Sequence, residues 1–501
     1  MTLLADVVDA SQRVAETSSR SAKVAALAEL LRTLDPEEVR VATAFLSGVP
    51  RQGRIGIGHS GVYGRDHAHA AEPRLTILDL DRALTEIQAT TGSGSAAGRR
   101  ALLADLFARA TEPEADFVRR LLTGELRQGA LAGIMVDAVA KAAGVPAELA
   151  RRALMLSGDL PNTAVTALTT GEGGLRAVGL QLFHPVLPML ASTAESVADA
   201  VAGFGASSVE WKLDGIRIQI HRRDDDVRIY TRNLNEITAA LPGIVGAVLG
   251  LPVSQAVLDG EALWMSDEGP AAFQDTVSLI GTEGIATFLF DVLHVDGDDL
   301  LDTPLRERSE RLAAIAAELK IPGTFTSDAV EAERVLEDAL AAGHEGVVVK
   351  DAGSLYAAGR RGKAWRKVKP VRTVDLVVLG AEWGHGRRQG WLSNLHLGAR
   401  DPRSGGFVMV GKTFKGMTDE LLAWQTQELL AREAERKVIA VFVRPELVVE
   451  IALDGVQAST RYPGGVALRF ARVKRYRPDK DANDADTIDE LRALLPERRA
   501  T

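Results

Sequence analysis

The sequence predicts a multidomain α+β protein: an all-α N-terminal domain, an α+β middle domain and a small C-terminal β-barrel. Three observations carry this. Apolar residues recur at helical spacing as far as about residue 195, the period changes to two near Ser207, and after Pro370 short strand-like runs surround one helical stretch. A length of 501 residues, at roughly 100 to 200 per domain, asks for about three domains, placed at 1–195, 196–370 and 371–501. With 46% hydrophobic and 25% charged residues the composition is ordinary for a globular chain, which disfavours disorder and fibrous repeats.

In the first domain, Val24, Leu27, Leu30, Leu31 and Leu34 mark one helix. Asp35-Pro36-Glu37-Glu38 opens the next with an N-cap, a proline in the first turn and acids that suit the helix dipole. A helix over 117–122 stops at Gly124, and another over 130–143 stops at Gly144 and Pro146, while 90–98, rich in Gly, Ser and Ala, reads as a loop. In the middle domain residues 207–222 alternate apolar and polar, and 224–226 turn the chain back into 227–230 as an antiparallel hairpin. Strands follow at 256–258, 287–290 and 346–349, with helices over 306–319 and 329–342. The last domain shows strands near 376–379, 395–399, 407–410, 438–443 and 447–451 and a helix over 418–432, a set that suits an OB-fold.

Zero cysteines exclude disulfides, thiol nucleophiles, iron–sulfur clusters and cysteine-type zinc sites. No run of about 18 uncharged apolar residues appears and the N-terminal stretch carries acids, so no membrane partner and a cytoplasmic location are expected. A net charge of -9 argues against uniform coating of nucleic acid, so basic residues matter only where they cluster.

Two motifs fail on context. Gly406-Phe-Val-Met-Val-Gly411-Lys412-Thr413 fits the GxxxxGK[ST] phosphate loop, but its four intervening residues are apolar and strand-like, so a plain barrel strand is expected. Gly56-Ile-Gly58-His-Ser-Gly61 fits GxGxxG without a preceding strand and reads as a loop; Arg51 and Arg54 beside it suit either phosphate contact or solvent.

The chemistry gathers in the middle domain. Lys212-Leu-Asp214-Gly215-Ile-Arg217 lies inside its first hairpin, followed by Arg232, Leu258-Asp259-Gly260-Glu261, Phe290-Asp291, Glu345-Gly346-Val-Val-Val-Lys350 and Trp365-Arg-Lys367-Val-Lys369-Pro370, each placed at a strand end. These blocks resemble, in order, the six-motif signature of the covalent nucleotidyltransferases, specifically the ATP-dependent DNA ligases. The block 467–480, ending Arg477-Pro478-Asp479-Lys480, is similar to that family's last motif with its terminal RxDK, and the helical N-terminal region looks like its DNA-binding domain. Ala471 departs from the pattern, since related ligases often carry proline there.

The residue types make chemical sense without the family. An amine that attacks phosphorus must be neutral, whereas a free lysine, with a pKa near 10.4, is deprotonated in only roughly one molecule in two thousand at pH 7. Desolvation, neighbouring cations (Lys367, Lys369 and Arg217) and a divalent metal all disfavour an ammonium. Lys212 is the candidate nucleophile, forming a phosphoramidate with AMP. Phe290 offers an aromatic face for adenine, and the resemblance assigns Glu210 to the adenine edge. Arg217 and Arg232 suit ribose and phosphate oxygens; Glu261 and Glu345 suit Mg²⁺, with Mn²⁺ as the alternative ion. Arg361, Lys367 and Lys369 suit the charge that shifts as pyrophosphate leaves, and Asp479 and Lys480 complete the nucleotide-binding set.

Blander roles stand beside these: Phe290 as core, Glu261 and Glu345 as surface ion pairs, the basic run as a solvated face. Residues 360–369 hold six basic and no acidic residues, and 469–480 hold six basic residues against Asp479 alone, an expected footprint for phosphates. The resemblance implies a monomer that seals nicks in duplex DNA independently of base sequence; no clamp-binding peptide stands out, which leaves a sliding clamp open as a partner. Alternatives that keep the lysine are an RNA ligase or a capping-type enzyme, disfavoured by the long helical domain, and an NAD-dependent ligase, disfavoured by the missing four-cysteine zinc module. A non-catalytic OB-fold DNA-binding protein is the alternative from another class.

Overall fold

The computed structural model describes residues 1–53, 55–63, 69–126, 132–266, 269–270, 284–357, 361–370 and 372–495. The chain divides into two compact units, Met1–Val368 and Lys369–Thr501. Among the described residues no helix is long and apolar enough to cross a membrane.

The first unit begins with helices α1 (Leu4–Glu16), α2 (Arg20–Leu31), α3 (Pro36–Leu46), α4 (His59–Tyr63), α5 (Ile77–Ala89), α6 (Ser95–Arg109), α7 (Glu112–Thr123), α8 (Ala132–Ala143), α9 (Ala147–Ser157) and α10 (Leu160–Arg176). They share one core that includes Leu27, Phe45, Leu80, Phe107 and Val139. The predicted start of α3 is real: Glu38 Oε2 accepts the Asp35 N–H at 3.1 Å, closing the box that caps the helix. Gly124 ends α7 with φ 71°, where a side chain would be strained. The loop expected over 90–98 is shorter, because Ser95 already opens α6. Among the described residues around the GxGxxG segment no strand precedes, and α4 starts at His59; Arg51 is bound to Asp81, and Arg54 lies outside the described residues.

Helix ends at Arg176, not near 195. Pro185 and Pro188 lack the N–H that a helix needs, and the segment instead runs onto the sheets as β1 (Leu190–Thr193). The strands that follow are β2 (Ser207–Lys212), β3 (Ile216–Arg223), β4 (Asp226–Thr231), β5 (Gln255–Ser266), β6 (Gly269–Pro270), β7 (Ile285–Val295), β8 (Asp298–Asp299), β9 (Gly323–Thr326), β10 (Gly346–Asp351) and β11 (Arg361–Val368). One sheet has the order β1-β11-β10-β2-β9; the other runs β4-β3-β5-β7-β8 with β6 on β5.

The expected hairpin exists as β3–β4, with Ile220 opposite Ile229, yet β2 is not part of it. The alternating run 207–222 breaks at Leu213-Asp214-Gly215, where the chain leaves one sheet for the other. Gly215 makes the crossing: a Cβ there would stand 2.3 Å from the Ala262 carbonyl oxygen. Val209, Val347 and Val349 pack with the helices Val197–Ala202 and Ala329–Ala341, while Ile218, Ile220, Leu258 and Leu289 pack with Pro242–Leu249 and Leu305–Ala316. A third cluster joins Met155 and Leu156 of α9 to Val186, Met189, Tyr356 and Trp365. There the Leu187 N–H donates to the Met155 carbonyl (2.9 Å), and Arg152 grips Asp302 through two 2.7 Å bonds.

The second unit holds β12 (Arg372–Trp383), β13 (Leu392–Arg400), β14 (Phe407–Thr413), β15 (Glu433–Arg436), β16 (Ala440–Val443), β17 (Val448–Leu453), β18 (Gly455–Ala458), β19 (Val466–Arg469) and β20 (Arg472–Tyr476). The long β12 pairs with β13 along one edge and with β17 and then β16 along the other. The five predicted strands are present, most of them longer than predicted, and the helix Asp419–Ala431 is capped by Thr418. Unpredicted β15 and β20 are rich in charge, which masked their alternation. The GKT segment is indeed a strand, β14, and its Lys412 is bound to Glu382.

Candidate active site

Alternation in the first sheet selects its functional face. On β2, Val209 and Trp211 turn toward the helices, so Glu210 and Lys212 share the opposite side; on β10 Val348 and Lys350 do the same, and on β11 Trp365 and Lys367. The second sheet contributes Arg217 from β3, Glu261 from β5 and Phe290 from β7, and Arg232 follows β4. With Leu190, Ala191, Leu213 and Ile321, these residues line a cavity of about 260 Å³. Glu261 and Phe290 lie mid-strand rather than at the expected strand ends.

Lys212 is the last residue of β2. Its Nζ lies 2.5 Å from Glu345 Oε2 and donates to the Leu213 carbonyl at 3.2 Å, while the Glu345 N–H donates to the Lys212 carbonyl at 3.1 Å. Arg217 is held through all three guanidinium nitrogens. Its Nε and Nη2 donate to Asp259 at 2.9 and 2.6 Å, and Nη1 donates to the Met189 carbonyl at 2.8 Å. The Tyr356 hydroxyl donates to Asp259 at 2.7 Å and accepts the Met189 N–H at 3.1 Å. Burial opposes charge on Arg217, but Asp259 beside it holds the guanidinium above its ordinary value. Burial also pushes Tyr356 well above the ordinary phenol value, with Asp259 adding to the effect.

Burial pushes Glu261 up to about 7, although Lys212 and Arg217 counteract it. Glu261 therefore stands as a carboxyl held partly protonated by burial at the cavity wall, and Arg217 is its cross-strand partner. Among the described residues no cluster of three or more His, Asp or Glu side chains could hold a metal; the carboxylates of Glu261 and Glu345 both lie near Lys212. Lys350 is 2% exposed, pairs with Glu210 Oε2 at 2.5 Å, donates to the Phe290 carbonyl at 3.2 Å, and lies 4.6 and 4.3 Å from the Phe290 and Trp365 ring centres. Ser208 donates to Glu210 Oε1 at 2.8 Å. The Phe290 ring thus carries the Lys350 ammonium and, at 5.0 Å, the Arg217 guanidinium.

Not every expected residue meets here. Lys369 opens the second unit, which also contains Asp479 and Lys480. Arg361 starts β11, but its side chain, like the whole of Arg360, lies outside the described residues. The basic stripes are less free than the sequence implied. Arg366 donates to the Asp199 and Ala200 carbonyls, Arg472 and Arg475 pair with Asp454 and Glu450, and Arg477 and Lys480 both bind Asp375 Oδ2, at 3.0 and 2.7 Å. Asp479 is held by Arg477, which keeps it down at about 2. Asp291 is structural, paired at 2.7 and 2.9 Å with the fully buried Arg308.

Sequence reasoning gave no role to Ser208, Asp259, Lys350, Tyr356 or Trp365. A lysine directly after three valines was the available signal for Lys350, because a buried strand seldom ends in an unpaired charge. Phe470, also given no role, is exposed at φ 53°, with Lys415 and Arg469 at 5.5 and 5.8 Å from its ring.

Models of the ATP dependent DNA ligase domain, of the ATP dependent DNA ligase C terminal region and of the DNA ligase N terminus match residues 188–369, 388–480 and 62–140. A probable DNA ligase of Rhodococcus jostii is 56% identical over 501 residues, 99% of this chain and 100% of that one. A probable DNA ligase of Saccharopolyspora erythraea is also 56% identical, over 100% of this chain and 99% of its own. The solved structure described as Pmar-Lig_PreS3 has a TM-score of 0.62 at 19% identity, covering 94% of this chain and 99% of that one, a likeness of fold. Three ligase segments matched in order, with end-to-end relatives at this identity, place the chain in the family of ATP-dependent DNA ligases.

Proposed function

We propose that Lys212 is the residue through which this ligase carries AMP. The observation that carries the reading is its amine, at the wall of a cavity that Glu210, Arg217, Phe290 and Lys367 also line. Lys212 Nζ attacks the α-phosphorus of ATP; the N–P bond forms, the bond to pyrophosphate breaks, and Glu345, 2.5 Å away, is placed to take the amine's proton. A nick 5′-phosphate oxygen then attacks the same phosphorus and frees the lysine. The 3′-hydroxyl finally attacks the adenylated 5′-phosphate, closing the strand and releasing AMP.

Arg217, preset by Asp259, and Arg232 bind ribose and phosphate oxygens; Phe290 takes the adenine face and Glu210 its edge. Lys367, with Arg361, Lys369, Asp479 and Lys480, serves the leaving pyrophosphate. Glu261 and Glu345 fit Mg²⁺ or Mn²⁺, since a hard ion needs only one or two carboxylates beside phosphate oxygens and the raised Glu261 is a carboxyl that a cation would ionise. The ion when bound supplies neutralising charge to the phosphates. The helices of residues 1–176 act as the DNA-binding part, 189–370, whose β1 already belongs to the cavity's sheet, as the adenylation part and 371–501 as an OB-fold; the substrate is nicked duplex DNA met by a monomer in the cytoplasm, without base readout. Phe470 between two cations suits a nucleic-acid surface. The test mixes the protein with α-labelled ATP and Mg²⁺. Wild type becomes labelled and seals nicks, whereas Lys212→Ala does neither and still binds DNA; labelling of that variant overturns the assignment.

A further inference from the structure

We propose that Lys350 and Ser208 set the choice of purine by holding Glu210 as a carboxylate that can only accept hydrogen bonds. The inference rests on the reading above, in which adenine meets Glu210. Both members of the Lys350–Glu210 pair are buried, with a 2.5 Å contact. A buried ion pair is a poor way to stabilise a fold compared with apolar side chains of similar size, so its presence in the cavity wall asks for another reason. Lys350 is anchored from several directions, by the Phe290 carbonyl at 3.2 Å and by the faces of Phe290 and Trp365. Ser208 donates to the other carboxylate oxygen at 2.8 Å.

Each oxygen of Glu210 is thereby oriented by one donor and keeps lone-pair capacity for a further one. A 6-amino purine brings an N–H donor to that position. A 6-oxo purine brings an oxygen, which meets an anion, and an unsubstituted purine leaves the carboxylate unanswered. Lys350 and Ser208 are positioning residues, acting through Glu210.

The experiment measures kcat/KM of self-nucleotidylation with ATP, GTP and purine riboside triphosphate. In Lys350→Met the preference for ATP over each of the others should fall about tenfold or more, and in Ser208→Ala about threefold, while Lys350→Arg keeps most of it. If Lys350→Met slows all three nucleotides by one common factor and Lys350→Arg fails to restore it, the pair is merely structural and the proposal is overturned. If Lys350→Met does not fold, by circular dichroism, an unchanged preference in Ser208→Ala overturns it and a reduced one supports it. Glu210→Gln separates the two levels. A preference intact in that variant means the base does not meet Glu210 and the cavity reading itself fails; a preference relaxed by Glu210→Gln but not by Lys350→Met removes only the role of Lys350.

Discussion

Lowering the pH from 8 to 5 should weaken the first unit by about 2 kcal/mol through one residue, His221. His221 is fully buried on β3, and its Nδ1 accepts the Phe183 N–H at 2.9 Å. That bond requires an unprotonated Nδ1, so the ring proton sits on Nε2 and donates to Gln219 Oε1, also at 2.9 Å. Gln219 in turn holds Val186, accepting its N–H at 2.8 Å and donating to its carbonyl at 3.2 Å. Burial first, and then the nearby His184 and His294, push the imidazole from 6.5 down to about 3. The folded protein therefore refuses a proton that the unfolded chain accepts below 6.5. Stability from this group is complete above pH 6.5 and declines as the pH falls toward 3; at pH 5, one and a half pH units below 6.5, the loss is about 2 kcal/mol. Thermal melting at pH 8, 6.5 and 5 measures it, as a drop on the order of a few degrees. Carboxylates contribute a background, which His221→Asn isolates: this variant starts less stable but should lose less on acidification. An equal acid response in both proteins would refute the reasoning, as would an imidazole titrating near 6.5 in the folded state.

Tyr356→Phe should cost about 2 to 4 kcal/mol, since Asp259 loses a donor and the Met189 N–H its acceptor, and melting at pH 8 reads this directly. Glu261→Ala and Glu345→Ala should lower the rate and raise the Mg²⁺ needed for half-maximal labelling; an unchanged metal dependence in both removes them from the metal site. Asp479→Ala and Lys480→Ala should fail with ATP and a nick yet nearly normally seal a nick already carrying 5′-AMP; equal loss on both substrates points to folding or DNA binding. Deleting residues 1–195 should abolish self-adenylation, because it also removes Met189 and β1, whereas deleting 1–178 spares both and should keep more; equal activity of the two truncations would show that neither is needed.

The order of the blocks made the lining of the cavity legible, because Lys212, Arg217, Glu261, Phe290 and Lys367 are each tied to a motif that survives as linear text. What stayed hidden depends on contacts between distant stretches. Tyr356 reaches Asp259 across 97 residues, a link that no periodicity records. The sheet change after Lys212 was hidden for a different reason: apolar alternation continues through Ile216, Ile218 and Ile220, so a strand that ends and a strand that begins look like one. Charged β20 failed in the opposite way, read as a phosphate-binding stripe because Arg472, Lys474 and Arg475 in a partly exposed strand resemble a free basic run until the acidic partners of the arginines on β17 and nearby are seen.

Met189, Arg217, Asp259 and Tyr356 come from four separate stretches and satisfy one another's hydrogen bonds. Removing one member of a buried charge pair typically costs about 3 to 5 kcal/mol, a large part of any domain's margin. Substitutions at Arg217 and Asp259 therefore cannot be sampled one at a time along a lineage; an intermediate with either charge left alone falls below the stability that function needs. The side chains of Arg217, Asp259 and Tyr356 should be inherited as a block and change together or not at all, whereas position 189, which contributes only its peptide N–H and carbonyl, is free to drift among apolar residues.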